Sequence, residues 1–316
     1  MVTSTPTALE VVDGVDLTGR VCVVTGASAG LGRESARALA RTGAHVILAA
    51  RNRQALDDTE AWIRADVPDA VTSAVELDLT SLASVRSAAR AMGAIASAIH
   101  VLMNNAGVMF TPFGRTADGF EMQFGTNHLG HFELTRLLAP QLVAAGGARI
   151  VNISSDGHRL GDVDLDDPNW HHRGYDKFAA YGASKTANIL HMVELDRRLR
   201  DQLVRAYSVH PGVVATSLAR HMSRDDFTAL SRFSPSDPSR KKADVRRDFT
   251  MPEHGAATQV WAAVSDDLAD VGSVYLADCR IQDDREGPAP YATDAAHALQ
   301  LWDASESLCA VASVGH

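Results

Sequence analysis

The stretch "RVCVVTGASAGLGRESARALARTGAHVILAAR", Arg20 to Arg51, decides the fold. It opens on a β-branched run, "RVCVVTG", turns through glycines, continues as a helical pattern and closes on a second apolar run, "HVILAAR". Buried strand, helix and buried strand in that order make a βαβ unit, which builds a parallel sheet covered on both faces. Outward from it, strand-like runs recur at "AVELD", "IHVLMNNAG", "ARIVNISS", "VRAYSVHPG" and "GSVYLADC", with helical runs such as "LASVRSAARAMGAIASA" between them. Each crossover is expected to be right-handed. No repeat or low-complexity linker intervenes. Residues 1–17 therefore read as an N-terminal extension, residues 18–316 as one doubly wound α/β domain, and residues 280–316 as its tail.

The glycine turn is "TGASAGLGRE", with Gly26, Gly30 and Gly32 spaced G-x-x-x-G-x-G. Glycines there permit a tight turn and let backbone approach a pyrophosphate, while the following helix offers free N–H groups and the positive end of its dipole. Ser28 and Leu31 belong to the same loop. At the end of the second strand an acid would bind the 2′-hydroxyl of an NAD ribose. Ala50 stands there, followed by Arg51 and Arg53. A guanidinium pairs with a 2′-phosphate. The loop thus reads as NADP(H)-preferring with NAD(H) possible, Arg51 being the contact and Arg33 a helper.

The 316 residues are 46% hydrophobic and 22% charged with a net charge of −9, which argues against a nucleic-acid partner. Three cysteines without a C-x-x-C pair argue against a disulfide framework and a zinc site, and fit a reducing compartment. The amino-terminal residues show neither a basic n-region nor an apolar h-region, and no apolar run approaches the roughly 18 residues of a membrane span. A cytoplasmic location without a membrane span is the expectation.

Five motifs occur in order: "TGASAGLG", "NNAG" (Asn104–Gly107), "NISS" (Asn152–Ser155), "YGASK" (Tyr181–Lys185) and "HPGVVAT" (His210–Thr216). From about Thr18 to Cys279 the chain resembles the short-chain dehydrogenase/reductase family. "DGFEMQFGTNHLGHFELTRLL" and "YGASKTANIL" look most like the branch of retinol dehydrogenases and the WW-domain oxidoreductase. The resemblance implies a Rossmann-type domain with a seven-stranded parallel sheet. It also implies an active site of Asn127, Ser155, Tyr181 and Lys185, with Asn127 holding a relay water. For the cofactor it implies Asp78 and Leu79 at the adenine, Asn105 lining the cleft, Asn104 bracing the sheet and Thr216 at the nicotinamide carboxamide. A homodimer or homotetramer is implied as well.

These residue types suit carbonyl–alcohol interconversion. Hydride addition leaves an alkoxide needing a proton, and the reverse needs a base. A free tyrosine, with a pKa of about 10, is a poor base near neutrality. A cation about 4 Å away in a dielectric near 20 is worth roughly 4 kcal/mol, enough to lower that pKa by roughly three units. Tyr181 and Lys185 stand four apart in a helical pattern, on one face. Ser155 ends a strand, placed to polarise the substrate oxygen. The expected function is an oxidoreductase acting on a small, apolar alcohol or carbonyl. A non-catalytic dinucleotide sensor on the same fold would show a degraded Ser/Tyr/Lys set, and an epimerase a larger substrate domain.

Other features are read as bystanders. Tyr175 and Lys177 are two apart and would face away from each other on a helix. "DVDLDD" (Asp162–Asp167) lacks the glycine and terminal glutamate of a calcium loop. His128, His131, His171 and His172 show no further ligand spacing. Two long connections, 156–180 and 217–254, should hang over the carboxyl edge of the sheet, the second as a substrate lid. Phe110, Phe113, Trp170, Phe178 and Met222 are candidates for an apolar pocket.

Overall fold

The computed structural model describes residues 6–214, 216–223, 225–226, 250–283 and 285–312. Eight strands form one sheet: β1 (Val21–Thr25), β2 (His45–Ala50), β3 (Thr72–Glu76), β4 (Val101–Asn104), β5 (Ala148–Ile153), β6 (Val204–Val209), β7 (Val274–Ala277) and β8 (Arg280–Ile281). Their spatial order is β3-β2-β1-β4-β5-β6-β7-β8. The first seven are parallel, as the apolar runs require.

The eighth strand corrects the expected count of seven. It pairs antiparallel with β7 through a two-residue turn, Asp278–Cys279, whose φ values are 51° and 53°. Two successive positive φ angles suit the tight hairpin turn that matches strand twist. Those residues carry none of the usual Asn-Gly signal, so the hairpin was not legible.

Alternation along each strand divides the core into two layers. Val23, Ile47, Leu102 and Ile150 point to one side, against helices Leu82–Ile95, Gly130–Ala144 and Lys177–Leu199. Cys22, Val24, Val46, Leu48, Met103 and Val151 point to the other, against helices Gly30–Arg41, Arg53–Asp66 and Ala257–Val264. All ten side chains are buried. At roughly 25 cal/mol per Å² of apolar surface, burial on both faces is the main stabilising term.

Both ends of the described chain join this core. The one-turn helix Ala8–Val11 is held by a Thr7–Glu10 capping box, and Ala8 and Val12 pack with Ala38, Ala256 and Val260. Helix Ala295–Val311 lies against helix Lys177–Leu199. Its Trp302 sits 4.9 Å edge-on from Phe132, and Arg86, paired with buried Glu133, donates to the Cys309 carbonyl. Most of the expected lid, residues 227–249, lies outside the described residues. No described helix is long and apolar enough to cross a membrane.

The order reverses between β1 and β4, which opens a crevice at their carboxyl ends. A buried hydroxyl organises its floor. Thr25 Oγ1 accepts the N–H groups of Asn105 and Ala106 at 2.9 and 3.0 Å and lies 2.9 Å from His131 Nε2. His131 Nδ1 faces the Asn127 carbonyl at 3.0 Å and must carry the proton there. Neutral Nε2 then accepts, so the Thr25 hydroxyl donates to it.

Burial holds His131 and His158 down to about 4 and His191 to about 3. The unfolded chain binds protons on these rings near pH 6.5, and the folded chain does not. Their contribution is complete above about pH 6.5 and is lost as pH falls towards 4, on the order of 1–3 kcal/mol per ring. Thermal melts from pH 8 to pH 5 should show Tm falling below about pH 6.5. A His191→Gln variant should show a shallower fall, and an equally steep one would contradict this account.

Candidate active site

The glycine turn is built as an anion cradle. Gly26 and Gly30 take φ of 68° and 54°, and helix Gly30–Arg41 starts at Ala29 without a side-chain cap. Its first N–H groups therefore face the crevice. A Cβ on Gly26 would stand 2.9 Å from Ala106 Cα, and one on Gly30 would come within 3.3 Å of the Thr216 methyl. Thr216 thus leans over the cradle, its hydroxyl accepting from the Leu218 N–H at 3.3 Å. Ser28 is half-buried on the loop, and Leu31 packs inward beside Gly255.

At the end of β2, Ala50 presents no carboxylate and Asn52 caps the next helix by accepting from the Ala55 N–H. Arg53 turns away to Asp57 at 2.9 Å and the Ala74 carbonyl at 3.1 Å. Arg51 stays exposed, with no hydrogen bond or ion pair among the described residues. Arg33 lies 4.2 Å over the Trp62 ring. Asp78 is fixed by Thr80, whose N–H and hydroxyl donate to it at 2.9 and 2.8 Å. Leu79 is buried against Gly130.

The two asparagines of "NNAG" both brace the sheet. Asn104 Nδ2 donates to Thr135 and Asn152 at 3.0 and 2.9 Å. Asn105 spends its amide on the Thr25 carbonyl and on Gln259. The wall of the cleft at Asn105 is therefore held rigid, and its amide is committed within the protein.

Tyr181 and Lys185 lie on helix Lys177–Leu199, which starts two residues ahead of the expected run because Asp176 caps it. Each is 4% exposed. Ser155, after β5, accepts the Gly157 N–H at 3.0 Å, and its hydroxyl lies on the Tyr181 side of the loop, where it works to lower the phenol pKa. Lys185 Nζ donates to the Ile153 carbonyl at 3.0 Å and lies 5.7 Å from the Tyr181 ring centre. Asn127 sits in a single π-turn, Gly125–Leu129. Its side chain clasps both backbone groups of Val108 at 2.8 and 2.9 Å and reaches Ser184 at 2.9 Å, between Tyr181 and Lys185.

The electrostatics differ from the sequence argument. Burial pushes Tyr181 up to about 12, against the lowering effect of the Ser155 hydroxyl, and Lys185 down to about 8. The expected drop of roughly three units assumed a cation about 4 Å away. Here the ammonium stands beyond 5 Å from the ring centre, and desolvation of both groups outweighs their attraction.

Sequence reasoning passed over several close neighbours. A Cβ at Gly157 would stand 2.6 Å from Tyr181 Cε1 and 3.2 Å from Ser155 Oγ, so only glycine admits this approach. His158 is fully buried behind the serine. Its Nε2 accepts from the Ala289 N–H at 2.9 Å, so its Nδ1 donates to the Ser155 carbonyl at 2.7 Å. The G in "SSDG" was the available clue to the first; nothing local signals the second. Asp167, His171 and His172 present ligand atoms within 4.8 Å of one another, a grouping the spacing argument also missed. The Asp167 oxygens already accept the N–H groups of His171 and His172 and face Arg173.

Four of the five aromatic and methionine candidates form two ring groups, one at Tyr181 and one at Tyr175. Phe110 is 4.9 Å edge-on from Tyr181 and 4.7 Å from Phe178. Phe113 and Trp170 flank Tyr175 at 5.1 and 5.3 Å. Met222 is half-buried on the segment after Thr216.

The short chain dehydrogenase family model matches residues 20–226. Human retinol dehydrogenase 13 is 40% identical over 92% of this chain and 84% of its own length. An uncharacterized protein from Mycobacterium paratuberculosis shares the structure with a TM-score of 0.72 and 36% identity, covering 94% of this chain and 95% of its own. The RhlG/NADP active-site complex of Pseudomonas aeruginosa matches with a TM-score of 0.64 and 25% identity, covering 83% and 95%. With the cradle and the Ser155–Tyr181–Lys185 geometry, these likenesses identify the chain as a member of the short-chain dehydrogenase family, an NAD(P)-dependent oxidoreductase acting on CH–OH groups.

Proposed function

We propose that the protein interconverts an apolar aldehyde or ketone and its alcohol using NADP(H) in preference to NAD(H), with Tyr181 as general acid/base. The observation that carries this reading is the grouping of three side chains at the carboxyl edge of the sheet: Gly157 lies between the Ser155 hydroxyl and the Tyr181 ring, and Lys185 Nζ lies 5.7 Å from that ring's centre. Because the Gly157 N–H occupies one lone pair of Ser155 Oγ, the serine keeps its remaining hydrogen-bonding capacity for Tyr181 and a substrate oxygen. Two hydroxyls converging on one oxygen stabilise the charge that develops on it. Tyr181 gives up its proton in reduction and recovers it in oxidation.

Lys185 supports that cycle with a charge that weakens above pH 8. Asn127 holds Gly107 and Val108 beside Lys185 Nζ, where a relay water would connect the ammonium to solvent. The nicotinamide supplies the hydride or accepts it. The cradle of Gly26, Ser28, Gly30, Leu31 and Gly32 would hold its pyrophosphate, with Thr216 over the loop. Asp78, Leu79 and Asn105 would border the adenosine and the inner cleft. Arg51, exposed and uncommitted beside an acid-free strand end, suits a 2′-phosphate. The branch likeness and the aromatic ring cluster support an apolar substrate. Three cysteines without a C-x-x-C pair support a reducing, cytoplasmic location.

Three measurements test this reading. Tyr181→Phe should bind NADPH with unchanged affinity in a fluorescence titration and lose at least about 10²-fold in turnover; full activity would remove Tyr181 from the mechanism. Gly157→Ala should lower kcat by about tenfold or more through displacement of the tyrosine ring, with NADPH affinity intact. Arg51→Ala should raise the NADPH dissociation constant about tenfold and leave that for NADH within about twofold. Equal effects on both cofactors would refute the phosphate contact.

A further inference from the structure

A chain of hydrogen bonds outside the Ser155–Tyr181–Lys185 set ends on the ring that covers Tyr181. It starts at Glu121, a carboxylate with no exposed surface. Glu121 accepts the N–H groups of Gln123 and Phe124 at 2.9 and 2.6 Å and the Tyr175 hydroxyl at 2.8 Å. The Tyr175 oxygen accepts from Gln123 Nε2 at 2.9 Å, and that nitrogen also donates to the Lys177 carbonyl at 3.0 Å. Gln123 Oε1 accepts the Phe110 N–H at 2.8 Å. Each bond fixes the next. Tyr175 has one proton and gives it to the carboxylate, so the glutamine turns its nitrogen to Tyr175 and its oxygen to Phe110.

Phe110 needs such a hold. Its φ of 51° places a bulky residue in the left-handed region, which persists only where surroundings enforce it. The ring so placed stands against both Tyr181 and Phe178. The Tyr175 ring, by contrast, is kept by Phe113 and Trp170 whether or not its hydroxyl is present. Packing and hydrogen bonding are therefore separable at this residue.

We propose that Tyr175 is a positioning residue. Its hydroxyl, through Gln123, sets where the Phe110 ring stands against Tyr181, and the resulting Phe110–Phe178 wall selects carbonyl substrates with a flat, apolar body over short aliphatic ones. The inference rests on Tyr181 being the acid/base, and the closing experiment separates the two. Tyr175→Phe and Gln123→Met are compared with the parent and with Tyr181→Phe, using cinnamaldehyde and butanal as probes, NADPH titration for cofactor affinity and thermal melts for folding.

The expected result for Tyr175→Phe is a five- to tenfold rise in KM for cinnamaldehyde, about what one lost hydrogen bond gives, with kcat and NADPH affinity held and a fall in Tm of no more than a few degrees. The butanal parameters should move less than about twofold, so the ratio of kcat/KM between the probes falls. Gln123→Met should reproduce that loss. An unchanged ratio in both variants, or an equal loss on both aldehydes, overturns the proposal while leaving the role of Tyr181 standing. Full turnover by Tyr181→Phe overturns the reading beneath it.

Discussion

The site depends on a relay of three buried polar groups: the Thr25 hydroxyl, the His131 ring and the Asn127 carbonyl. Thr25 closes the first strand and takes the N–H groups of Asn105 and Ala106, so it fixes the inner wall of the crevice. Through His131 it reaches the π-turn carrying Asn127, and Asn127 in turn clips the Tyr181 helix at Ser184. Cofactor loop, crevice wall and catalytic helix are thereby registered by one connected path. In a low-dielectric interior such a path holds its geometry well while every member is satisfied and fails badly when one is not. The histidine must stay neutral for this, because its acceptor nitrogen meets the threonine proton.

The π-turn explains why a helix is used at this point. A regular helix would bond the Asn127 carbonyl to the N–H four residues on. The five-residue turn loosens that ladder, and the His131 ring nitrogen Nδ1 lies 3.0 Å from the Asn127 carbonyl. The asparagine side chain then faces Val108, away from the apolar layer that buries Phe132 and Leu134.

Much of this was legible from local spacing. The apolar runs gave seven of the eight strands, because a strand buried on both faces leaves a run with few polar residues. The four-residue step from Tyr181 to Lys185 and the glycine turn carried the chemistry. The illegible parts are contacts between residues far apart in the chain. Ala289 bonds His158 across 131 positions, and Arg86 reaches Cys309 across 223. No local pattern announces a lone acceptor waiting for a distant N–H. Helix geometry does not apply to Tyr175, because Asp176 starts the helix just after it and leaves Tyr175 in the preceding loop. Spacing likewise carries no measure of burial, which holds the Tyr181 phenol up despite the lysine one turn away.

The His158–Ala289 bond also bears on the order in which the chain acquires its parts during synthesis. The sheet through β6 and the Tyr181 helix are complete once residue 209 has emerged. The loop that aims Ser155 is then still missing its outer support. It gains that support only when Ala289 and Tyr291 arrive to bond the ring and backbone of His158. A chain that stops short of Ala289 therefore carries Ser155, Tyr181 and Lys185 without this outer support of the serine loop.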